Sequence, residues 1–216
     1  MAAPPPALAR RERAALCDLM DRVGADAPTL CAGWTTYDLA AHLALREGSP
    51  LAVAGAVFPP LERLTNRSME KTKARTPYVD LVDQVRKGPP LLSPFRPSPV
   101  DRAANAVEYF VHHEDVLRCQ PGWTRRELDR RDQDSLWARV AALGRMLARR
   151  ATVGIELVRT DTSDVRRIRS GEPTLVVRGL PGELVLFAYG RGAVSDVEVE
   201  GDRDAQDAFD HSQLGL

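Results

Sequence analysis

Apolar side chains recur at helical spacing through the first 150 residues of the chain. The first run places Leu8, Leu16, Leu19, Met20 and Val23 on one face. Positions three and four residues apart share one side of an α-helix, so the pattern predicts amphipathic helices. We predict these over residues 7–23, from about residue 35 onward, and over residues 76–87, 101–118 and 131–149. Residues 61–74 fit no single pattern, and Pro59 and Pro60 end or bend what precedes them.

The pattern changes after Arg150. Apolar and polar residues begin to alternate, which predicts strands over residues 152–159, 174–178 and 194–200. Helices are predicted over residues 179–189 and 204–211, the first with Pro181 in its opening turn. The expected fold class is α+β. An N-terminal bundle of four to five helices would occupy residues 1–150, and a small α+β domain residues 151–216.

The second helix carries its own start signal and a mixed inward face. Thr35 can cap it, and Asp38 three residues later completes a pair resembling a capping box. Its inward face would hold Leu39, His42, Leu43 and Arg46. A histidine and an arginine therefore join the apolar side of this helix.

Composition narrows the function classes. The 216 residues are 44% hydrophobic and 28% charged with a formal net charge of zero, which is typical of a soluble globular protein and excludes a basic footprint for nucleic acid. The longest uncharged run, Gly48–Leu61, is too short for a membrane span and contains three prolines. Met1–Arg10 lacks the apolar core of a signal peptide. Three widely spaced cysteines fit reduced thiols, so a cytoplasmic location is expected.

Three side chains could form a metal site. Glu108 and His112 lie four residues apart, so they stack on one face of a predicted helix. His42 lies on the inward face of the second helix, and facing helices of a bundle can bring such ligands together. One carboxylate and two imidazoles form a common zinc set with one position left open. The same set also suits iron, nickel or manganese.

Other interpretations of these residues stay open at this point. A histidine on an apolar helix face is often a hydrogen-bonded core residue, and a Glu–His pair four apart is often on the surface. Asp115 could orient the imidazole of His112 as an outer partner, or pair with Arg118. His113 points about a quarter turn away, which predicts either solvent exposure or an outer supporting role.

Two segments resemble a known family. Gly33–Leu43 resembles the helix-two signature of the mycothiol-dependent maleylpyruvate isomerase family, within the DinB/YfiT-like group of metal-binding helical bundles. Glu108–Val116 resembles that family's second metal motif. The resemblance implies a zinc site at His42, Glu108 and His112. The part of the chain after residue 150 resembles the small C-terminal domain that many members carry, and the closest subgroup is an uncharacterised actinobacterial one.

The resemblance implies a thiol-dependent activity. Members use the low-molecular-weight thiol mycothiol, which zinc holds as the nucleophilic thiolate. We therefore expect an isomerase or S-transferase acting on a small-molecule electrophile, with homodimer formation through helix faces as an expected assembly. Arg75, Arg178 and Arg191 are candidates for substrate binding by general position only.

Two alternatives belong to other functional classes. The chain could bind a metal without catalysis, in a structural or sensing role. It could also be a partner-binding module that uses the proline-rich connector Gly88–Pro99 with Phe95, although a simple linker is the plainer interpretation. Trp34, beside the capping Thr35, could either staple the helix entry or shape a pocket over the site.

Overall fold

A computed structural model of the chain describes residues 7–48, 59–88, 99–210 and 214–215. It contains two compact units, Met1–Arg125 and Arg126–Leu216. The predicted boundary at residue 150 lies further along the chain. The difference arises because the helix Arg130–Leu147 packs on C-terminal elements.

Helices build the first unit. They are α1 (Leu8–Val23), α2 (Thr36–Gly48), α3 (Pro59–Lys73), α4 (Tyr78–Lys87) and α5 (Pro99–Leu117). Helix α1 packs on α5 and α4, and α2 packs on α3 and α4. The segment that sequence patterning left open is thus α3, whose first turn holds Pro59 and Pro60, where proline is tolerated.

The apolar faces predicted from the sequence form the core of this unit. Leu16, Met20, Leu39, Leu43 and Leu81 are among its fully buried side chains. Helix α1 ends before Gly24, which adopts a positive φ of 82°. The hydroxyl of Thr36 donates to the Gly24 carbonyl at the start of α2. These contacts fix where α2 begins relative to α1.

The second unit combines helices with a four-stranded sheet. The elements are α6 (Arg130–Leu147), β1 (Gly154–Arg159), β2 (Val165–Arg169), β3 (Thr174–Gly179), α7 (Pro181–Ala188), β4 (Val197–Glu200) and α8 (Arg203–Asp210). The strand order is β2-β1-β3-β4, with β1 and β3 parallel and the outer pairs antiparallel. Sequence patterning missed β2 because Ile168 is its one buried residue among exposed neighbours.

The predicted α+β class is confirmed. Within the part of the chain that the structure describes, no helix is both long and apolar enough to cross a membrane. Residues 89–98 of the proline-rich connector, with Phe95, lie outside the described residues, as does His211. The partner-binding hypothesis that rests on this connector stays a prediction.

Candidate metal centre

Helices α2 and α5 bring His42, Glu108 and His112 together in the first unit. Glu108 Oε1 lies 3.4 Å from His42 Nε2 and 3.3 Å from His112 Nε2. The three ligand atoms all lie within 4.8 Å of one another. The two imidazole rings meet nearly edge to face, with centroids 5.5 Å apart. One carboxylate oxygen therefore faces two imidazole nitrogens.

These separations match a metal site better than a hydrogen-bonded cluster. N–H···O hydrogen bonds centre on about 2.9–3.0 Å. Zinc binds imidazole nitrogen and carboxylate oxygen at about 2.0–2.2 Å, so two ligands of a tetrahedral site lie roughly 3.4 Å apart. The observed 3.3 and 3.4 Å equal that ligand-to-ligand edge. The donor set thus fits a divalent cation without rearrangement.

The start of α2 holds His42 in place. Asp38 accepts hydrogen bonds from the Thr35 backbone N–H at 2.9 Å and from its hydroxyl at 2.8 Å, in the predicted capping pair. Lys73 of α3 pairs with the same Asp38 at 2.6 Å. The capped start of α2 is therefore tied to α3.

Asp115 supports His112 from its other ring nitrogen. Its Oδ2 lies 3.0 Å from His112 Nδ1, and Asp115 is fully buried. A carboxylate at Nδ1 fixes the tautomer so that the lone pair of Nε2 faces the metal position. Arg118 donates to Glu114 at 2.6 Å, so the geometry gives Asp115 the orienting contact that the sequence left open.

Cys31 is a site residue that sequence reasoning missed. Its Sγ lies 3.3 Å from Asp115 Oδ2 and 4.0 Å from His112 Nδ1. The Leu30 backbone N–H donates to the Asp115 carbonyl at 3.0 Å, which ties this turn to α5. Cys31, His112 and Asp115 form a second set of grouped ligand atoms. No sequence spacing connects a loop cysteine with a helix so distant in the chain.

Arg46 places a cation beside the same carboxylate. Its Nε lies 3.3 Å from Glu108 Oε1, and its Nη1 donates to Asn105 Oδ1 at 2.6 Å. Arg46 lies four residues after His42, and Asn105 three before Glu108, so both share the site faces of their helices. The sequence placed Arg46 on the inward face but gave it no role.

The charges of the cluster favour an ionised carboxylate. Burial raises the pKa of Glu108, but Arg46 and the two histidines outweigh it and hold the pKa well below its ordinary value. Burial lowers the pKa of His42, helped by the neighbouring His112 and Arg46. Burial also acts downward on His112, but Asp115, Cys31 and Glu108 raise its pKa well above the ordinary value. His42 therefore offers a lone pair, whereas His112 must release a proton to bind a cation.

Trp34 lies against the site as well as the core. Its ring centroid is 5.1 Å from that of His42, at a tilt of 49°. The same side chain packs on the core of the first unit. The stapling and pocket-shaping roles considered for Trp34 are thus compatible.

His113 belongs to a different cluster from His112. It is buried, so the predicted alternative of solvent exposure is wrong, and its Nδ1 lies 2.9 Å from Glu12 of α1. The helical rotation of one residue turns its ring from the His42 side toward α1. Its outer supporting role for the metal ligands stays a prediction, without a direct contact of that kind to support it.

The predicted substrate-binding arginines lie in different settings. Arg75 is exposed after α3, and Arg178 pairs with Glu200 on the sheet at 2.9 Å. Arg191 donates to the Tyr189 carbonyl at 2.6 Å. A substrate role for any of them stays a prediction, whereas Arg46 is the arginine in contact with the candidate ligands.

The fold resembles solved structures of one enzyme. A crystal structure of the mycothiol-dependent maleylpyruvate isomerase aligns with a TM-score of 0.59 and 18% identity, covering 90% of this chain and 91% of that one. A variant of it with one histidine replaced by alanine aligns equally well at 17% identity. No protein-family model and no curated protein sequence matches the chain. At this identity, the likeness shows a shared fold.

Proposed function

We propose that this chain is a zinc-dependent protein that uses a low-molecular-weight thiol, with mycothiol as the expected one, to isomerise or conjugate small electrophiles. The observation that carries the proposal is the convergence of His42, Glu108 and His112 at the ligand-to-ligand edge of a tetrahedral site. The fold likeness to a mycothiol-dependent isomerase supports the thiol.

The residues have distinct roles in this proposal. His42 and His112 would each offer Nε2 to the cation, and Glu108 one carboxylate oxygen. Asp115 would accept the Nδ1 proton of His112 and hold the ring in its ligating orientation. Three protein ligands leave the fourth tetrahedral position for an exogenous group.

Solvent access favours this open site over a closed structural one. The side chains of His42, Glu108 and His112 are 14%, 19% and 11% exposed, so the cluster is reachable from outside. Structural zinc sites are closed by four protein ligands. The partial exposure and the set of three ligands therefore favour catalysis over a purely structural role.

With a divalent cation bound, the site would hold a thiol as its nucleophilic thiolate, which adds reversibly to an activated alkene or attacks another electrophile. Trp34 supplies an apolar wall beside His42. Glu108 and Asp115 keep negative charge next to the imidazoles and so favour cation binding. The chain's own groups thus position the cation and leave the reacting carbon to the ligand.

The test is elemental analysis of protein purified without chelator, followed by calorimetric titration with mycothiol. We expect about one zinc per chain, and thiol binding that depends on zinc. His112→Ala should lose the metal, whereas His113→Gln, on the next residue of the same helix, should keep it. Absence of zinc from the wild-type protein would refute the proposal. Zinc without thiol binding or thiol-dependent turnover would refute its catalytic part.

A further inference from the structure

We propose that Arg46 binds an anionic oxygen group, such as a carboxylate, of the ligand that occupies the open position of the metal site. The inference rests on the proposed metal site and deepens it by naming the residue that selects the charge of the ligand. It starts from the position of Arg46 beside Glu108, which the ligand geometry alone does not require.

Two contacts hold the guanidinium beside the site. Arg46 Nη1 donates to Asn105 at 2.6 Å, a short bond that anchors one edge of the group. Arg46 Nε lies 3.3 Å from Glu108 Oε1, the oxygen that also faces both histidines. The arginine side chain is 15% exposed, so a ligand can reach it. A guanidinium thus borders the position where a cation and its fourth ligand would meet.

The charge of a loaded site calls for an anion. Ligation requires both imidazoles to be neutral. A divalent cation with Arg46 then exceeds the two carboxylates, Glu108 and Asp115, by one positive charge. An uncompensated charge in a mostly buried cluster is costly. A ligand that brings negative charge is therefore bound more favourably than a neutral one.

Arg46 is suited to meet that charge through oxygen. Its 3.3 Å contact with Glu108 is longer than the 2.7–2.9 Å of a strong charge-assisted bond. When a cation binds the Glu108 oxygen, the attraction of that carboxylate for Arg46 is weakened. A guanidinium carries five N–H donors in a fork that matches a carboxylate. A ligand carboxylate would replace a weak contact by a stronger one.

The experiment measures binding of succinate and of its neutral analogue succinamide to zinc-loaded protein by calorimetry. Neither compound is an electrophile, so no turnover interferes. Wild-type protein should bind succinate and discriminate against succinamide. Arg46→Gln should weaken succinate binding about tenfold to a hundredfold, the usual range for a hydrogen bond to a charged group. Arg46→Lys should lie between them, since it keeps the charge but loses the fork.

Zinc affinity supplies a second readout and Arg86→Gln the control. Arg86 pairs with Asp18 and Asp21 of α1, away from the ligands, so this variant should match wild type in both titrations. Removing a cation beside the metal should leave zinc affinity equal or higher in Arg46→Gln.

Three outcomes would overturn the inference. Unchanged succinate binding in zinc-loaded Arg46→Gln would remove Arg46 from ligand recognition while leaving the metal site intact. A tenfold loss of zinc affinity in that variant would instead make Arg46 a support for Glu108. Failure of wild-type protein to bind zinc at all would refute the proposed function, and this inference with it.

Discussion

Helix α5 carries two polar clusters that differ in how well their groups satisfy one another. The open cluster consists of His42, Glu108 and His112, with contacts of 3.3–3.4 Å and partial exposure. The closed cluster consists of Glu12, Arg13, Glu47, Tyr109 and His113. In it, the Tyr109 hydroxyl donates to Glu47 at 2.5 Å, and His113 Nδ1 lies 2.9 Å from Glu12.

The closed cluster is satisfied by the protein's own groups. Arg13 donates to Glu47 at 2.9 Å and to the Val85 carbonyl at 2.8 Å, and its guanidinium lies 4.5 Å from the Tyr109 ring centroid. Burial and the Glu47 carboxylate raise the pKa of Tyr109 well above its ordinary value, so the hydroxyl keeps its proton. Buried polar groups normally complete their hydrogen bonds in this way.

The contrast teaches which buried polar group is structural and which is available to a ligand. Adjacent histidines on one helix fall on opposite sides of this distinction, His112 in the open cluster and His113 in the closed one. The closed cluster should therefore govern folding stability, and the open cluster metal affinity.

The largest expected effect on stability is that of Glu47→Gln. This change leaves Arg13 without its carboxylate, and breaking a buried ion pair costs about 3–5 kcal/mol. Urea unfolding followed by circular dichroism measures this loss. Zinc content at native conditions should stay at the wild-type level. Glu70→Gln is the matched control, because Glu70 is 72% exposed on α3 and its pair with Lys73 should contribute little. Loss of zinc from folded Glu47→Gln protein would contradict the separation of the two clusters.

The sequence predicted the elements of the open cluster better than its surroundings. The helical pattern and the spacing of Glu108 and His112 require only local geometry, and His42 followed from the inward face of α2. Cys31 depends on the path of a loop and on the backbone bond from Leu30 to Asp115, which no periodicity encodes. The pairing of His113 with Glu12 likewise depends on which helix α1 packs against.

Asp115→Asn should have the next largest effect, and on the metal site. Loss of a carboxylate that orients a ligating histidine typically lowers metal affinity tenfold to a hundredfold. Competition with a chromogenic zinc chelator measures the change. Asp80→Asn, an exposed position on α4, should leave zinc affinity unaltered. An affinity equal to wild type in Asp115→Asn would show that the 3.0 Å contact does not support His112 in the loaded protein.

The two clusters should also separate with pH, through His112. Its pKa in the folded metal-free protein is raised above the ordinary 6.5. The stability that its protonated form contributes is therefore complete below about pH 6.5 and is lost as pH rises through the folded pKa. Zinc affinity should increase over the same range, because ligation releases that proton.

Thermal melting of metal-free protein and zinc titrations from pH 6 to 9 test these opposite slopes. His112→Gln should flatten the contribution of this residue to the melting curve. Zinc affinity that fell with rising pH would contradict the assigned direction.

The smallest expected change, from Cys31→Ser, decides between the two sets of grouped ligand atoms. Cys31 Sγ lies near Asp115 and His112 Nδ1, but the proposed site uses His112 Nε2. If the thiol only contributes a hydrogen bond to Asp115, its replacement should change zinc affinity about fivefold or less, equivalent to roughly 1 kcal/mol. Cobalt-substituted wild-type protein should then lack a thiolate-to-cobalt charge-transfer band, as should Cys119→Ser. A band that is present in wild type and abolished by Cys31→Ser would move the metal to the Cys31, His112 and Asp115 set, and would make His42 and Glu108 the hydrogen-bonded partners rather than the ligands.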